Sequence, residues 1–263
     1  MRRIDAKIPA PDGESAATLH LPDGTGPWPA VLLFPDAGGA RETMREMADH
    51  IASMGYVAMV PDIYYRAGTW EPFDVATLFT DERERARLSV LAGALTNDRV
   101  IADSAAYADF LLALPEVSGS AIGTTGYCLG GHLSLLAACG LGSKIAAAAS
   151  FHGGRLAVAD DPASPHLLAD AITGTVYVAG AQDDRSFTAE QAELLERALT
   201  DAGVDHTIEF YSAHHGFAVP DNPTYDPAAE ARHWAALSDL YGTRLAPATP
   251  TGPADSPRQA AGR

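Results

Sequence analysis

Two rhythms of apolar and polar positions run along the chain, and it switches repeatedly between them. Residues 4–9 and 16–21 flank Asp12-Gly13, a turn signal, and predict an antiparallel hairpin. Ala30-Val31-Leu32-Leu33-Phe34 is an unbroken apolar run, the pattern of a strand covered on both faces. Met44, Met47, Ile51 and Met54 then recur at helical spacing, and Gly55 can close that helix. Residues 56–60 predict the next strand, stopped by Pro61-Asp62. Residues 66–93 follow no single period; within them Asp81-Glu82-Arg83-Glu84-Arg85 reads as a solvated helix face. Residues 97–114 predict a helix with Val100, Ile101, Ser104, Tyr107, Ala108 and Leu111 on one side. A strand over 121–127, a helix over 130–140, and strands over 145–151 and 175–179 follow. Thr188-Ala189-Glu190-Gln191 fits a capping box opening a helix that ends at Gly203. Residues 207–211 predict a last strand, and Asp226-Pro227 supplies the cap and first-turn proline of a closing helix that buries Trp234, Leu237 and Tyr241.

Strands alternating with helices imply an α/β fold, with a mostly parallel central sheet and helices on both faces. Sites in such sheets form at the carboxyl ends of the strands. Chemistry is therefore expected in the loops after Phe34, Tyr127, Ala179 and Tyr211. From Thr243 to Arg263 the chain is rich in Pro, Ala, Thr and Gly and loses its periodicity, which predicts a disordered tail. Residues 1–242 are expected to form a single domain, which suits a chain of 263 residues.

Charge narrows the function classes. Lys plus Arg number 18 against 34 Asp plus Glu, a net charge of −16. Nucleic acid and anionic membranes are unsuitable partners for that balance, because phosphate contacts need clustered basic residues. No apolar stretch approaches the ~20 residues needed to span a bilayer. The basic N-terminus has no apolar run behind it, so it does not read as a signal peptide. Only two cysteines are present, too few for a disulfide scaffold. A soluble cytoplasmic protein is the expectation, as a monomer or homodimer.

One of those cysteines carries the strongest chemical signal. Gly126-Tyr127-Cys128-Leu129-Gly130-Gly131 is Gly-x-Cys-x-Gly between a predicted strand and helix. A sharp strand-to-helix turn strains its central residue and crowds its neighbours, so glycines flank it. The central thiol then sits at a helix N-terminus, where the dipole and free amides favour a thiolate. Cys139 lies 11 residues further along the helix. That is ~16 Å away, beyond disulfide reach, so it reads as core packing.

A nucleophile of this kind needs a base, and the base needs a group that fixes its tautomer. Gly180-Ala181-Gln182-Asp183-Asp184 offers two acids, with Asp183 the preferred one, although either could instead cap the helix. Ser212-Ala213-His214-His215-Gly216-Phe217 offers two imidazoles, and the freedom of Gly216 favours His215. The order Cys128, Asp183, His215 is nucleophile, acid, histidine. His152 ends a predicted strand and could line the pocket. His20, His50, His166, His206 and His233 read as structural or surface residues. No His-x-x-x-His or Cys-x-x-Cys pair exists, so neither a metal nor another cofactor is expected.

Together these segments resemble the dienelactone hydrolase family of the α/β-hydrolase superfamily over residues 10–242. Phe34-Pro35-Asp36-Ala37-Gly38-Gly39, Gly55-Tyr56-Val57-Ala58 and Pro61-Asp62-Ile63-Tyr64 add to the likeness. The resemblance implies an α/β-hydrolase fold and favours Asp183 and His215 over their neighbours. It implies an oxyanion hole from the Leu129 and Ala37 amides, and an acid at Asp36 near the thiol. It further implies two arginines for a substrate carboxylate. One falls at Arg85, while Val219 occupies the place of the other. The activity implied is hydrolysis of a small activated ester or lactone through a Cys-His-Asp triad and a thioester. Acyl transfer or thioester hydrolysis, and ligand binding without catalysis, are the other classes open to the same scaffold.

Overall fold

A computed structural model describes residues 1–245 of the chain. Its strands are β1 (Arg2–Ala10), β2 (Gly13–Leu21), β3 (Ala30–Phe34), β4 (Val57–Pro61), β5 (Ile122–Tyr127), β6 (Ile145–Phe151), β7 (Thr175–Ala181) and β8 (His206–Tyr211). They form one sheet in the order β1-β2-β4-β3-β5-β6-β7-β8. The first two strands make the expected hairpin, but Ala10 pairs with Gly13, so Pro11-Asp12 forms the turn. Strand β2 joins β4 antiparallel, and every later pairing is parallel. The mostly parallel α/β architecture is the one the alternating pattern predicts.

The helices are α1 (Glu42–Ser53), α2 (Glu82–Gly93), α3 (Asn97–Leu112), α4 (Leu129–Leu141), α5 (Ala189–Asp201) and α6 (Pro227–Arg244). They cover both faces of the sheet, and the alternation of side chains along each strand divides the core in two. On β3, Ala30, Leu32 and Phe34 pack in a cluster with Tyr107 and Leu111 of α3, Leu136 of α4 and Leu195 of α5. Val31 and Leu33 point the other way, into a cluster with Met44, Met47 and Ile51 of α1 and Leu237 and Tyr241 of α6. Each such fully buried aliphatic or aromatic side chain contributes about 1.5–3 kcal/mol, which is why the central strands read as continuous apolar runs.

Two parts differ from the expected pattern. Helix α2 is capped by Asp81, whose carboxylate accepts the Arg83 and Glu84 amides, and it buries only Leu91. It lies on the rim of the molecule, so no burial period marks it. Helix α6 continues through Thr243 to Arg244, and Leu245 is buried behind it, so the ordered chain passes the predicted limit at residue 242. The remainder of the expected tail, residues 246–263, lies outside the described residues. Among those described, no helix is long and apolar enough to cross a membrane.

The sheet order sets the position of the site. From β3 the chain crosses to β4 on one side, and later returns to β5 on the other. The loops leaving β3 and β5 therefore diverge and open a crevice at the carboxyl edge of the sheet.

Candidate active site

Cys128 stands between β5 and α4 with φ 54° and ψ −115°, a strained conformation for a residue with a side chain. The turn is held by its neighbours. A Cβ on Gly126 would lie 1.9 Å from the Gly130 carbonyl oxygen, and one on Gly130 would lie 2.2 Å from that of Phe34. Backbone atoms cannot yield at such distances, so the glycine spacing follows from the close passage of three segments. The Cys128 amide donates to the Phe151 carbonyl and to His152 Nδ1, each at 3.1 Å. The side chain itself is half-buried at the start of α4.

His215 faces that side chain from the loop after β8. Its Nδ1 lies 2.6 Å from Asp184 Oδ2, which leaves Nε2 for the Cys128 sulfur. Burial depresses the imidazole's proton affinity. Hydrogen bonds to Asp184 and Cys128, and the charge of both, outweigh it and raise the pKa to about 10. The Asp184 carboxylate is only 4% exposed and accepts the Ser186 amide at 2.8 Å and its hydroxyl at 2.6 Å. Burial works against its ionisation, but these bonds and His215 hold its pKa below the usual carboxylate value.

The carboxylate at His215 is thus Asp184, not the expected Asp183. Asp183 takes the left-handed conformation, φ 60°, and its side chain is exposed. The bend turns it away from the imidazole and brings the next residue inward. Of the two imidazoles, His215 is the one brought to Cys128, while His214 is exposed.

Other expected residues are placed differently from their anticipated roles. His152 does not line the crevice. It is fully buried behind it, its ring 5.1 Å from that of His215 and 4.9 Å from that of Phe217. Burial and the nearby His215 hold its pKa well below that of a free histidine. Asp36 does not reach for the thiol: both its oxygens bind Arg41, at 2.6 and 2.9 Å, and Oδ1 also accepts the Gly38 amide. Arg85 is exposed on α2 and away from the crevice, and Val219 is fully buried in the core. Among the described residues, the amides of Ala37 and Leu129 are not taken by other hydrogen bonds. The Ala37 carbonyl accepts the buried Tyr64 hydroxyl at 3.0 Å.

A cavity of about 520 Å³ opens beside Cys128 and His215. Phe79, Ala92, Leu95, Leu129 and Leu133 supply its apolar walls, with Arg155 and Arg185 at its edge. His132 also lines it, with Nδ1 3.3 Å from the Gly154 carbonyl; burial lowers its pKa. Sequence reasoning passed over His132, although its place four residues after Cys128 puts both on one face of α4. No local signal marks Ser186, while Tyr64 lies in the Pro61-Asp62-Ile63-Tyr64 segment without any sign of its contact with Ala37. No cluster of three or more His, Cys, Asp or Glu among the described residues could hold a metal ion.

Comparison with known proteins shows the family. Residues 16–245 match the sequence profile of the dienelactone hydrolase family. A Synechocystis sp. protein provisionally named carboxymethylenebutenolidase is 30% identical over 248 residues, covering 90% of this chain and 95% of the relative. The carboxymethylenebutenolidase of Pseudomonas sp. strain P51 is 29% identical over 234 residues, covering 86% of this chain and 87% of its own. The crystal structure of a dienelactone hydrolase-like promiscuous phosphotriesterase, P91, from metagenomic libraries is also similar. It superposes with a TM-score of 0.75 at 27% identity, covering 93% of this chain and all of that one.

Proposed function

The chain belongs to the dienelactone hydrolase family, and from that premise we propose that it hydrolyses small activated esters or lactones through a thioester on Cys128. The observation that carries the reading is the His215 imidazole, bonded through Nδ1 at 2.6 Å to Asp184 and lining one cavity with the strained Cys128. With its pKa raised to about 10, His215 is an imidazolium at neutral pH. An imidazolium facing the sulfur supports attack by the thiolate form, so the nucleophile needs no further base.

The thiolate attacks the ester carbonyl, and the developing oxyanion is held by the free amides of Leu129 and Ala37. As the tetrahedral species collapses, His215 gives its proton to the departing alkoxide or enolate, and the acyl group remains on sulfur. Loss of the sulfur's charge removes one support for the imidazolium. His215, now neutral, can take a proton from water, which attacks the thioester and releases the acid. Asp184 keeps Nδ1 protonated throughout, so Nε2 handles both transfers.

Substrate preference follows from the cavity. Its walls are apolar, and the place the family resemblance gives to a second arginine holds Val219, buried in the core. An uncharged acyl or aryl group of modest size suits it better than a small dicarboxylate. Activated leaving groups are favoured, because a thiolate departs more readily than a poor alkoxide or an amine.

The test is pre-steady-state kinetics with p-nitrophenyl butyrate. A burst of p-nitrophenolate stoichiometric with enzyme is expected, abolished by iodoacetamide and by Cys128→Ala. Undiminished turnover by Cys128→Ala would reject the reading.

A further inference from the structure

Arg41 lies between the two loops that frame the site. Its guanidinium carries five N–H donors in a rigid plane, and the structure gives all five an acceptor. Nε and one Nη2 hydrogen meet the two oxygens of Asp221, each at 2.7 Å. The other Nη2 hydrogen and one from Nη1 meet the two oxygens of Asp36, at 2.9 and 2.6 Å. The last Nη1 hydrogen faces the Gly39 carbonyl at 3.4 Å. The side chain is only 11% exposed, although it reaches a residue 180 positions away in sequence.

Each carboxylate belongs to a different half of the site. Asp36 immediately precedes Ala37, and its Oδ1 also accepts the Gly38 amide, so the Ala37 amide moves with it. Asp221 lies in the segment that carries His215. There the Thr224 hydroxyl donates to the His215 carbonyl, the Thr224 backbone amide donates to Asn222 Oδ1, and the Asn222 backbone amide donates to the Val219 carbonyl. Thr43, on α1, adds a hydroxyl to Asp221 Oδ2 at 2.7 Å. The two halves come from opposite sides of the sheet's centre; behind them Phe217, Ala218 and Val219 share a buried cluster with Leu33 and Met44, and at the crevice itself Arg41 joins them.

We propose that Arg41 is a positioning residue that, gripping Asp36 and Asp221 together, sets the distance between the Ala37 amide and the His215 imidazole. Resting on the function proposed above, this assigns Arg41 no contact with substrate. It makes one tetrahedral intermediate reach the oxyanion donor and the proton donor at once. Lysine keeps the charge but has a single nitrogen, so it cannot hold two carboxylates in parallel.

Two single variants and their combination test this: Arg41→Lys, Asp221→Asn and Arg41→Lys/Asp221→Asn. With p-nitrophenyl butyrate, kcat is expected to fall about 10- to 100-fold in each single variant, with KM within threefold. The double variant should be no slower than the slower single, since either change alone opens the clamp. Alkylation by iodoacetamide supplies a readout that does not need turnover. His215 and Cys128 line one cavity, so a displaced imidazole should change the ratio of alkylation rates at pH 6 and pH 9 in each variant. Losses that multiply in the double variant, or a ratio unmoved in both singles, overturn the proposal. A ratio that moves while the wild type hydrolyses no ester leaves the clamp standing and removes the hydrolase reading. Wild-type hydrolysis matched within twofold by both singles does the reverse.

Discussion

At the scale of single residues, the site turns on which of two adjacent aspartates meets His215. Asp184 is buried and bonded at 2.6 Å; Asp183 is exposed at a left-handed turn. Asp184→Asn should therefore lower kcat on the order of 10²-fold or more, by losing the group that fixes the tautomer. Asp183→Asn should stay within about twofold, as surface changes do. Parallel steady-state assays of the two variants decide between them. The sequence could not separate these neighbours, because one φ angle determines which side chain turns inward and composition does not encode it. His215 was separable from His214, since Gly216 beside it signals a bend. Cys139 gives the matching control. It is 5% exposed, its thiol meets only the Pro165 carbonyl, and burial pushes its pKa up to about 12. Cys139→Ala should leave kcat and the alkylation of Cys128 unchanged, at a cost of about 1 kcal/mol in denaturant stability.

At the scale of elements, the strand-turn-helix around Cys128 was legible because its glycines obey a steric rule that spacing alone expresses. The rule predicts that Gly126→Ala, whose Cβ would lie 1.9 Å from a carbonyl oxygen, forces β5 and α4 apart. Loss of measurable esterase activity is expected, with a fall in stability of about 1–3 kcal/mol or more; a variant of wild-type rate would refute the steric account. Strands β3 and β6 were equally plain, being buried on both faces. Helix α2 was not, because it buries only Leu91. Its neighbourhood supplies Phe79, Ala92 and Leu95 to the wall of the cavity, and Phe79 is 53% exposed. Phe79 faces the cavity while Leu95 also packs against the core, so the segment follows no single burial period. Leu95→Trp should raise KM for p-nitrophenyl hexanoate several-fold while sparing p-nitrophenyl acetate, as a substrate series would reveal.

At the scale of the whole molecule, histidines tie stability to pH in two directions. His152 and His233 are both fully buried; desolvation holds the first well below its ordinary pKa and the second at about 3. The unfolded chain takes up protons at these positions near pH 6.5 while the folded chain does not. Stability therefore falls as pH drops below 6.5 and continues to fall towards pH 3, by about 1.4 kcal/mol per pH unit for each residue. His215 acts oppositely. Its folded pKa of about 10 stabilises the protein fully below pH 6.5, and that contribution is lost as pH rises towards 10. Melting temperatures across pH 4–10 should peak near pH 6.5, and a plateau down to pH 4.5 would contradict this balance. These buried imidazoles serve a sheet whose mostly parallel character was readable from alternating patterns, but its strand order and the convergence of residues 36, 41, 128, 184, 215 and 221 at one edge are properties of the folded chain alone. The central claim is that the acyl group passes through the sulfur of Cys128. Enzyme mixed with p-nitrophenyl butyrate, quenched in acid during the burst and digested, should carry one butyryl group on the peptide containing Cys128, absent from Cys128→Ala. Turnover with an unmodified Cys128 peptide, or with the acyl group on another residue, would contradict the account.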